Sequence, residues 1–426
     1  MTAGLRVGAA RAVVTPSQPG PLAGYIARGG AVATSTLDEL EVAVVVLDVG
    51  ERAVAWIALD AVAVSERLAT EASRIVERVA GREVPVVFAA SHTHSAPAHW
   101  LGPFAPGHGD ELDEGAVAEL LDRLEGAVAD AWNTREPAQA RWCMPTVHGL
   151  ASRRAYLDAA VDITVGALVV TAGDRVTAVL VDVPCHATVL GPDNLAWSAD
   201  WPGGLRRELR RRHPGAVVAF LNGASGDLST RFTRTAATPA EAERLGALVA
   251  DAVLAALPES ASVEPVLTVH DVALSLPAAH RDPQAARARL AEAEGRRAHA
   301  ADEDAALLQS VVDGARIELA VAEAPVADPV EVTARLVRLG HVTWAALPFE
   351  VFSSTAAALG GEVGPLRVVG CAGPYQGYLP DASAFADDTY EARTARVSPE
   401  AEPRARAQLR FALSVLDHIH PVLELP

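Results

Sequence analysis

The 426-residue chain contains no lysine: all 36 basic residues are arginines, set against 54 acidic ones for a formal charge of −18. This excludes phosphate-binding loops built on a lysine and any chemistry that runs through a lysine Schiff base. The acidic balance argues against nucleic acid as a partner, because backbone binding needs clustered cations that release counterions. Cysteine is scarce too. Cys143, Cys185 and Cys371 are far apart and odd in number, so they form neither a zinc ribbon nor a disulfide framework, which fits a reducing, cytoplasmic setting. No run of about 18 apolar residues occurs, and the start "MTAGLRVGAARAVVTP" lacks a basic region followed by an apolar one. Neither stable membrane insertion nor export is expected.

At 50% hydrophobic, the chain can bury a large core. Short β-branched runs such as "LEVAVVVLDV", "VPVVFAAS", "TAVLVDVPCHA" and "AVVAFLNG" alternate with amphipathic segments rich in alanine, leucine and arginine. That alternation predicts an α/β fold, a mixed sheet covered by helices. Helices are expected over 65–80 (N-capped by Ser65), 112–132, 203–212, 238–257 and 401–418. The run "VEVTARLVRLGHVTWAALP" is expected to form one strand. Residues 281–324 are nearly all strong helix formers of mixed charge and predict a helical hairpin insertion, either solvated or serving as a dimer arm in a homo-oligomer. No internal repeat or linker is visible, so 1–280 and 325–426 are expected to form a single catalytic domain.

Several unusual polar groups follow directly on strand candidates, where ligands sit in open α/β sheets. "SHTHSAPAHW" carries His92, His94 and His99 with Trp100; "CHATVLGPDNLAWSAD" carries His186 and Asp200; "NGASGDLSTRF" carries Asn222, Gly226, Asp227, Ser229 and Arg231. Glu350 ends "WAALPFE", and Tyr375, Tyr378 and Tyr390 cluster late in a chain with five tyrosines. Taken singly, each has an ordinary explanation: a core imidazole, a helix cap at Asp200, or an Asx turn. Two strands that both run into histidine favour a metal site, and a glycine-rich loop can offer free N–H groups to an oxyanion.

In this order, "SHTHSAP", "CHATVLGPDNLAWSAD", "NGASGDLS", "LPFE" and "YQGY" resemble the motifs of the neutral/alkaline, non-lysosomal ceramidases, a family of zinc amidases, over roughly residues 6 to 395. The resemblance implies an α/β catalytic domain with zinc at strand ends, held by His92, His186, Glu350 and Tyr378. It places His94 beside the zinc, against the reacting group. It makes Ser229 either a nucleophile or a substrate contact, and puts an active-site arginine on Arg153, with Arg154 adjacent. The chain also departs from the family. His99 and Trp100 stand where further glycines are usual and are expected at the pocket mouth, Thr230 and Arg231 replace a proline and an asparagine, and no C-terminal immunoglobulin-like domain is expected.

The implied activity is a zinc-dependent amidohydrolase acting on a linear acyl amide of small or medium size. A metal-activated water attacks the carbonyl, and His94 and Arg153 stabilise the oxyanion. Asn222, Gly226, Asp227, Arg231, His99, Trp100 and Tyr375 are expected around the substrate. Two other functions fit the same residues: amide or lactone formation or ring closure, and a non-catalytic zinc-binding protein with a closed coordination shell.

Overall fold

Runs rich in valine and alanine build three sheets of one topology in the computed structural model, which describes residues 4–104, 111–155, 160–299, 305–325, 327–360 and 365–419. In the first, Leu5–Val13, Glu41–Val49 and Arg52–Leu59 pair antiparallel in that order, and Val86–Ala90 joins parallel to the last. The second repeats this with Gln139–Cys143, Gly166–Ala172, Arg175–Val183 and Val217–Asn222. The third does so with Leu267–Leu276, Val330–Leu339, Val342–Ala346 and Leu366–Val369. Parallel neighbours cannot be joined by a tight turn. Each such pair is accordingly bridged by a helix: Glu66–Ala80, Trp201–Arg212 and Ser353–Gly360 respectively.

The mixed α/β expectation therefore resolves, among the described residues, into three larger sheets and three of two or three strands, and a repetition invisible as sequence similarity is present as topology. Its local cause is a glycine. The central antiparallel pair of each sheet turns through two residues, the first of them Gly50, Gly173 or Gly340, with φ of 68°, 58° and 54°. A two-residue hairpin favours glycine at its first central position because a side chain there is strained. Gly340 also corrects the expected single strand over 330–348, which folds there into Val330–Leu339 and Val342–Ala346. The helices lie close to expectation, at Glu66–Ala80, Glu114–Asn133, Trp201–Arg212, Pro239–Ala256 and Ala401–Ile419. Ser65 caps the first of them by accepting from the Leu68 N–H.

Residues 281–324 contain the helices Pro283–Ala298 and Ala305–Glu323, which pack on each other; the turn of the expected hairpin lies outside the described residues. The second helix leans on Tyr390–Thr394 and on the single turn Ile26–Arg28, both beside the site described below. Among the described residues no helix is long and apolar enough to cross a membrane.

The sheets share a core into which each inserts one tryptophan. Trp344 of the third sheet stands edge-on to Trp56 of the first, with ring centroids 5.5 Å apart, and to Trp142 of the second, at 5.4 Å. From this junction the strand ends run together and are stitched by backbone hydrogen bonds. Ala90 N–H donates to Cys371 O (3.0 Å), Gly370 N–H to Asn222 O (2.8 Å) and Gly373 N–H to Phe88 O (2.8 Å). A Cβ on Gly370 would lie 3.0 Å from the carbonyl oxygens of both Gly223 and Phe349, so a side chain there would press on the backbone of both segments. Trp344 is 1% exposed, and Trp344→Ala is expected to destabilise the protein by about 3–5 kcal/mol through the cavity left at the junction, measured as a shift in the urea midpoint.

Candidate metal centre

The chain leaves the strand Val86–Ala90 and turns at once, with His92 in the left-handed region at φ 63°. Histidine tolerates this conformation better than most residues. The turn sets the His92 and His94 rings edge to face, with centroids 5.0 Å apart. His186 arrives from the end of Arg175–Val183, its ring 4.7 Å from that of His92. Nitrogens of His92, His94 and His186 lie within 4.8 Å of one another, a group that could hold a metal ion. Glu350, at the end of the third sheet, closes the cluster: its Oε2 lies 3.2 Å from His92 Nε2 and 2.9 Å from His186 Nε2.

The tautomers follow from the outer nitrogens. His92 Nδ1 lies 2.6 Å from Val62 O, and His186 Nδ1 lies 2.8 and 3.0 Å from the Ser225 and Leu228 carbonyls. A carbonyl only accepts, so each Nδ1 carries the proton and each Nε2 is left facing inward. This is the arrangement of a metal-binding imidazole whose remote N–H is fixed by backbone. Burial, which would raise the Glu350 pKa, is outweighed by His92 and His186, and the carboxyl is held well below its usual range. Burial, with Arg154 beside it, lowers His186 to about 4 and so keeps it neutral. His94 is likewise pushed well below the usual histidine range by burial and by the two neighbouring imidazoles.

No family model and no curated protein sequence matches the chain. Among solved structures, the neutral ceramidase from Pseudomonas aeruginosa matches with a TM-score of 0.78 at 15% identity, over 99% of this chain and 76% of that one. A ceramidase complexed with C2 matches with a TM-score of 0.76 at 14% identity, over 100% of this chain and 77% of that one. The chain has the neutral ceramidase fold.

Within the ceramidase fold, the other expected residues divide into those that reach the cluster and those that do not. Tyr378 pairs in register with Glu350, and its hydroxyl accepts from Arg154 Nη2 at 3.1 Å. The Tyr375 hydroxyl donates to Glu350 Oε1, which orients a cluster carboxylate, and its ring stands against Phe104. Arg154, not Arg153, enters the site. Arg153 is the exposed last residue of the strand Thr146–Arg153, and successive side chains at a strand end diverge. The Arg154 guanidinium lies 3.0 Å from His186 Nε2 and donates to Gly226 O (3.0 Å) and Glu391 Oε1 (2.6 Å).

The glycine-rich loop is built differently from an oxyanion cradle. Gly226 N–H is spent on Val351 O at 2.8 Å, and a Cβ there would meet Glu350 O at 2.6 Å, so its glycine serves close packing. Asp227 accepts from Ser353 N–H (2.6 Å) and Oγ (2.7 Å), fastening the start of helix Ser353–Gly360. The Asn222 side chain is fully buried, its amide without a partner among the described residues. Ser229 is buried, and its Oγ accepts from Arg231 N–H at 3.3 Å. His99 and Trp100, expected at a pocket mouth, are both buried. Trp100 is 1% exposed in the core beneath the first sheet, and the buried His99 ring lies against Gly20 and Trp197. The turn that carries them folds back through Ala98 N–H to Pro21 O and Ala23 N–H to Ala96 O, drawing the indole inward. Asp200 is a cap: its carboxylate accepts from the N–H groups of Trp201, Val189 and Leu190.

Two contributors escaped sequence analysis. The Tyr25 ring lies 4.8 Å from the His94 ring, and buried Arg28 donates to His94 O. Their one signal was that Tyr25 is among only five tyrosines. Arg154→Ala is expected to cost about 3 kcal/mol by stranding buried Glu391, while Arg153→Ala leaves the denaturation midpoint unchanged; equal effects would reverse the assignment.

Proposed function

We propose that the chain is a zinc-dependent hydrolase that cleaves the N-acyl bond of a small or medium-sized linear amide. The observation that carries this is the meeting of two inward-facing imidazole nitrogens and one carboxylate oxygen at a single buried point. His92 Nε2, His186 Nε2 and Glu350 Oε2 converge while the remote imidazole nitrogens are held by backbone carbonyls, and an N/O donor set of this kind suits zinc. His92, His186 and Glu350 would hold it, with the Tyr378 oxygen as fourth donor. A metal in this position polarises a carbonyl and lowers the pKa of a water. The three cysteines are free and buried, which supports the cytoplasmic setting expected from their spacing.

The protein's own groups then have distinct tasks. Hydrolysis adds water across the amide, so a C–O bond forms, the C–N bond breaks and a proton passes to the leaving amine. His94 stands partly open beside the cluster, its buried Nδ1 against Gly24 and without a partner among the described residues, and its Nε2 3.5 Å from His92 Nε2. Held neutral, it can take a proton at Nε2 and return it to the amine. Arg154 lies against His186 through Nη1 and keeps an Nε–H without a partner among the described residues, a donor for the oxygen on which negative charge builds. Ser229 has no imidazole or carboxylate on its hydroxyl among the described residues, and a serine nucleophile needs such a base. It is therefore assigned to holding the substrate, and the water route is favoured over an acyl-enzyme.

Purified protein is expected to carry about one zinc per chain by elemental analysis, and His186→Ala to weaken zinc binding by at least about tenfold. A wild-type protein that takes up no zinc would remove the basis of the proposal. On an acyl-amide panel, Ser229→Ala is expected to raise KM with little change in kcat, as for a group that binds ground and transition states alike. A trapped acyl-enzyme in the wild type would instead make Ser229 the nucleophile.

A further inference from the structure

Four arginines lie around the centre. Arg154 touches His186, Arg28 donates to His94 O, and Arg231 and Arg234 follow Ser229 on the stretch whose Leu228 carbonyl meets His186 Nδ1. Tyr25 itself leans on His94, and the Arg28 guanidinium lies 4.9 Å from its ring centroid. Among the described residues, of the four only Arg154 pairs with a carboxylate, that of Glu391 at 2.6 Å.

The partners of the others are dipoles. Arg28 donates to the carbonyls of Ala23, His94, Gly191 and Pro192, and Arg234 to those of Thr188 and Val189. The Arg231 side chain is exposed, and its guanidinium has no hydrogen-bond or ion-pair partner among the described residues. Carbonyls satisfy N–H groups without cancelling net charge. Of the nearby carboxylates, Asp200 is committed to three backbone N–H groups, Glu350 to the imidazoles and Glu391, which also acts on Arg231, to Arg154. A chain with a net charge of −18 thus concentrates positive charge at its candidate site. Such a local field draws in and orients anions. Arg231 is also tied to Ser229, whose Oγ accepts from its backbone N–H at 3.3 Å, so one stretch carries both the hydroxyl and the free guanidinium.

We propose that the substrate carries an oxyanion group close to the scissile amide, as an N-acyl amino acid does, and that Arg231 is the specificity-determining residue that binds it. This rests on the amide-hydrolase function proposed above. The planar fork of arginine matches a carboxylate or a phosphate with two parallel hydrogen bonds, which a neutral amide or alcohol cannot return. Burial, then the neighbouring cations Arg154 and Arg234, lower the Arg231 pKa, a repulsion that a bound anion relieves.

The test compares octanoylglycine, octanoylglycinamide and octanoylethanolamine phosphate on zinc-loaded wild-type protein, Arg231→Ala and Arg231→Lys. The wild type is expected to favour an anionic amide over the neutral one by roughly 10- to 100-fold in kcat/KM, the range of a charged hydrogen bond. Preference for the glycine conjugate assigns the oxyanion to a carboxylate, and preference for the ethanolamine ester assigns it to a phosphate. Arg231→Ala is expected to bring the ratio near unity, chiefly through KM, and Arg231→Lys to restore part of it. A wild type that cleaves the neutral amide equally well, or a preference that survives Arg231→Ala, overturns the proposal. If no amide is turned over, the hydrolase function fails, and calorimetry of the same compounds on the same proteins decides Arg231 separately. Tighter binding of an anionic compound that is lost in Arg231→Ala then upholds the contact, and equal binding refutes it.

Discussion

Glu350 is a carboxylate at 2% exposure, and its Oε2 faces the Nε2 atoms of two imidazoles whose other nitrogens are already committed to backbone carbonyls. A charge this deep is expensive unless it is paired, and its partners are two imidazoles of the kind that hold a metal ion. Much of the surrounding structure can be understood as fixing that point. Tyr375 holds the second Glu350 oxygen, Arg154 ties His186 to Tyr378 and Glu391, and the left-handed turn at His92 aims its ring inward.

The fold supplies this convergence by repetition. Each of the three sheets runs through a glycine hairpin into a helix-bridged parallel pair, and strand ends from all three are stitched together at the site. The segments leaving the first sheet carry His92 and His94, those leaving the second carry His186 and Ser229, and those leaving the third carry Glu350 and Tyr378, which pair with each other. The Trp56, Trp142 and Trp344 contact fixes the sheets against one another. Ligands from distant parts of the sequence thereby acquire a common origin, as carboxyl-end positions of parallel strands.

That logic also explains what could be read without a structure. Helices with clear caps, such as the one begun by Ser65, and strands running into polar clusters were legible because their signals are local. The topological repeat was hidden, since any alternation of valine, alanine and leucine serves a buried strand, and only the three turn glycines are shared. Arg153 and Arg154 are the same residue type at adjacent positions, and only the direction of the strand's last residues separates them. His99 and Trp100 looked like site residues by proximity to His94, yet an indole gains more from the core than from a mouth. Tyr25 and Arg28 were out of reach because their roles depend on contacts far along the chain, such as the bond from Tyr25 to Leu190 O.

The claim on which the rest depends is that a metal ion occupies the point between His92, His186 and Glu350. Anomalous diffraction at the zinc edge from crystals of the zinc-loaded protein tests it directly. The account predicts one strong peak about 2.0–2.2 Å from the two Nε2 atoms and a Glu350 oxygen. No peak there, or a peak elsewhere in the molecule, would contradict it.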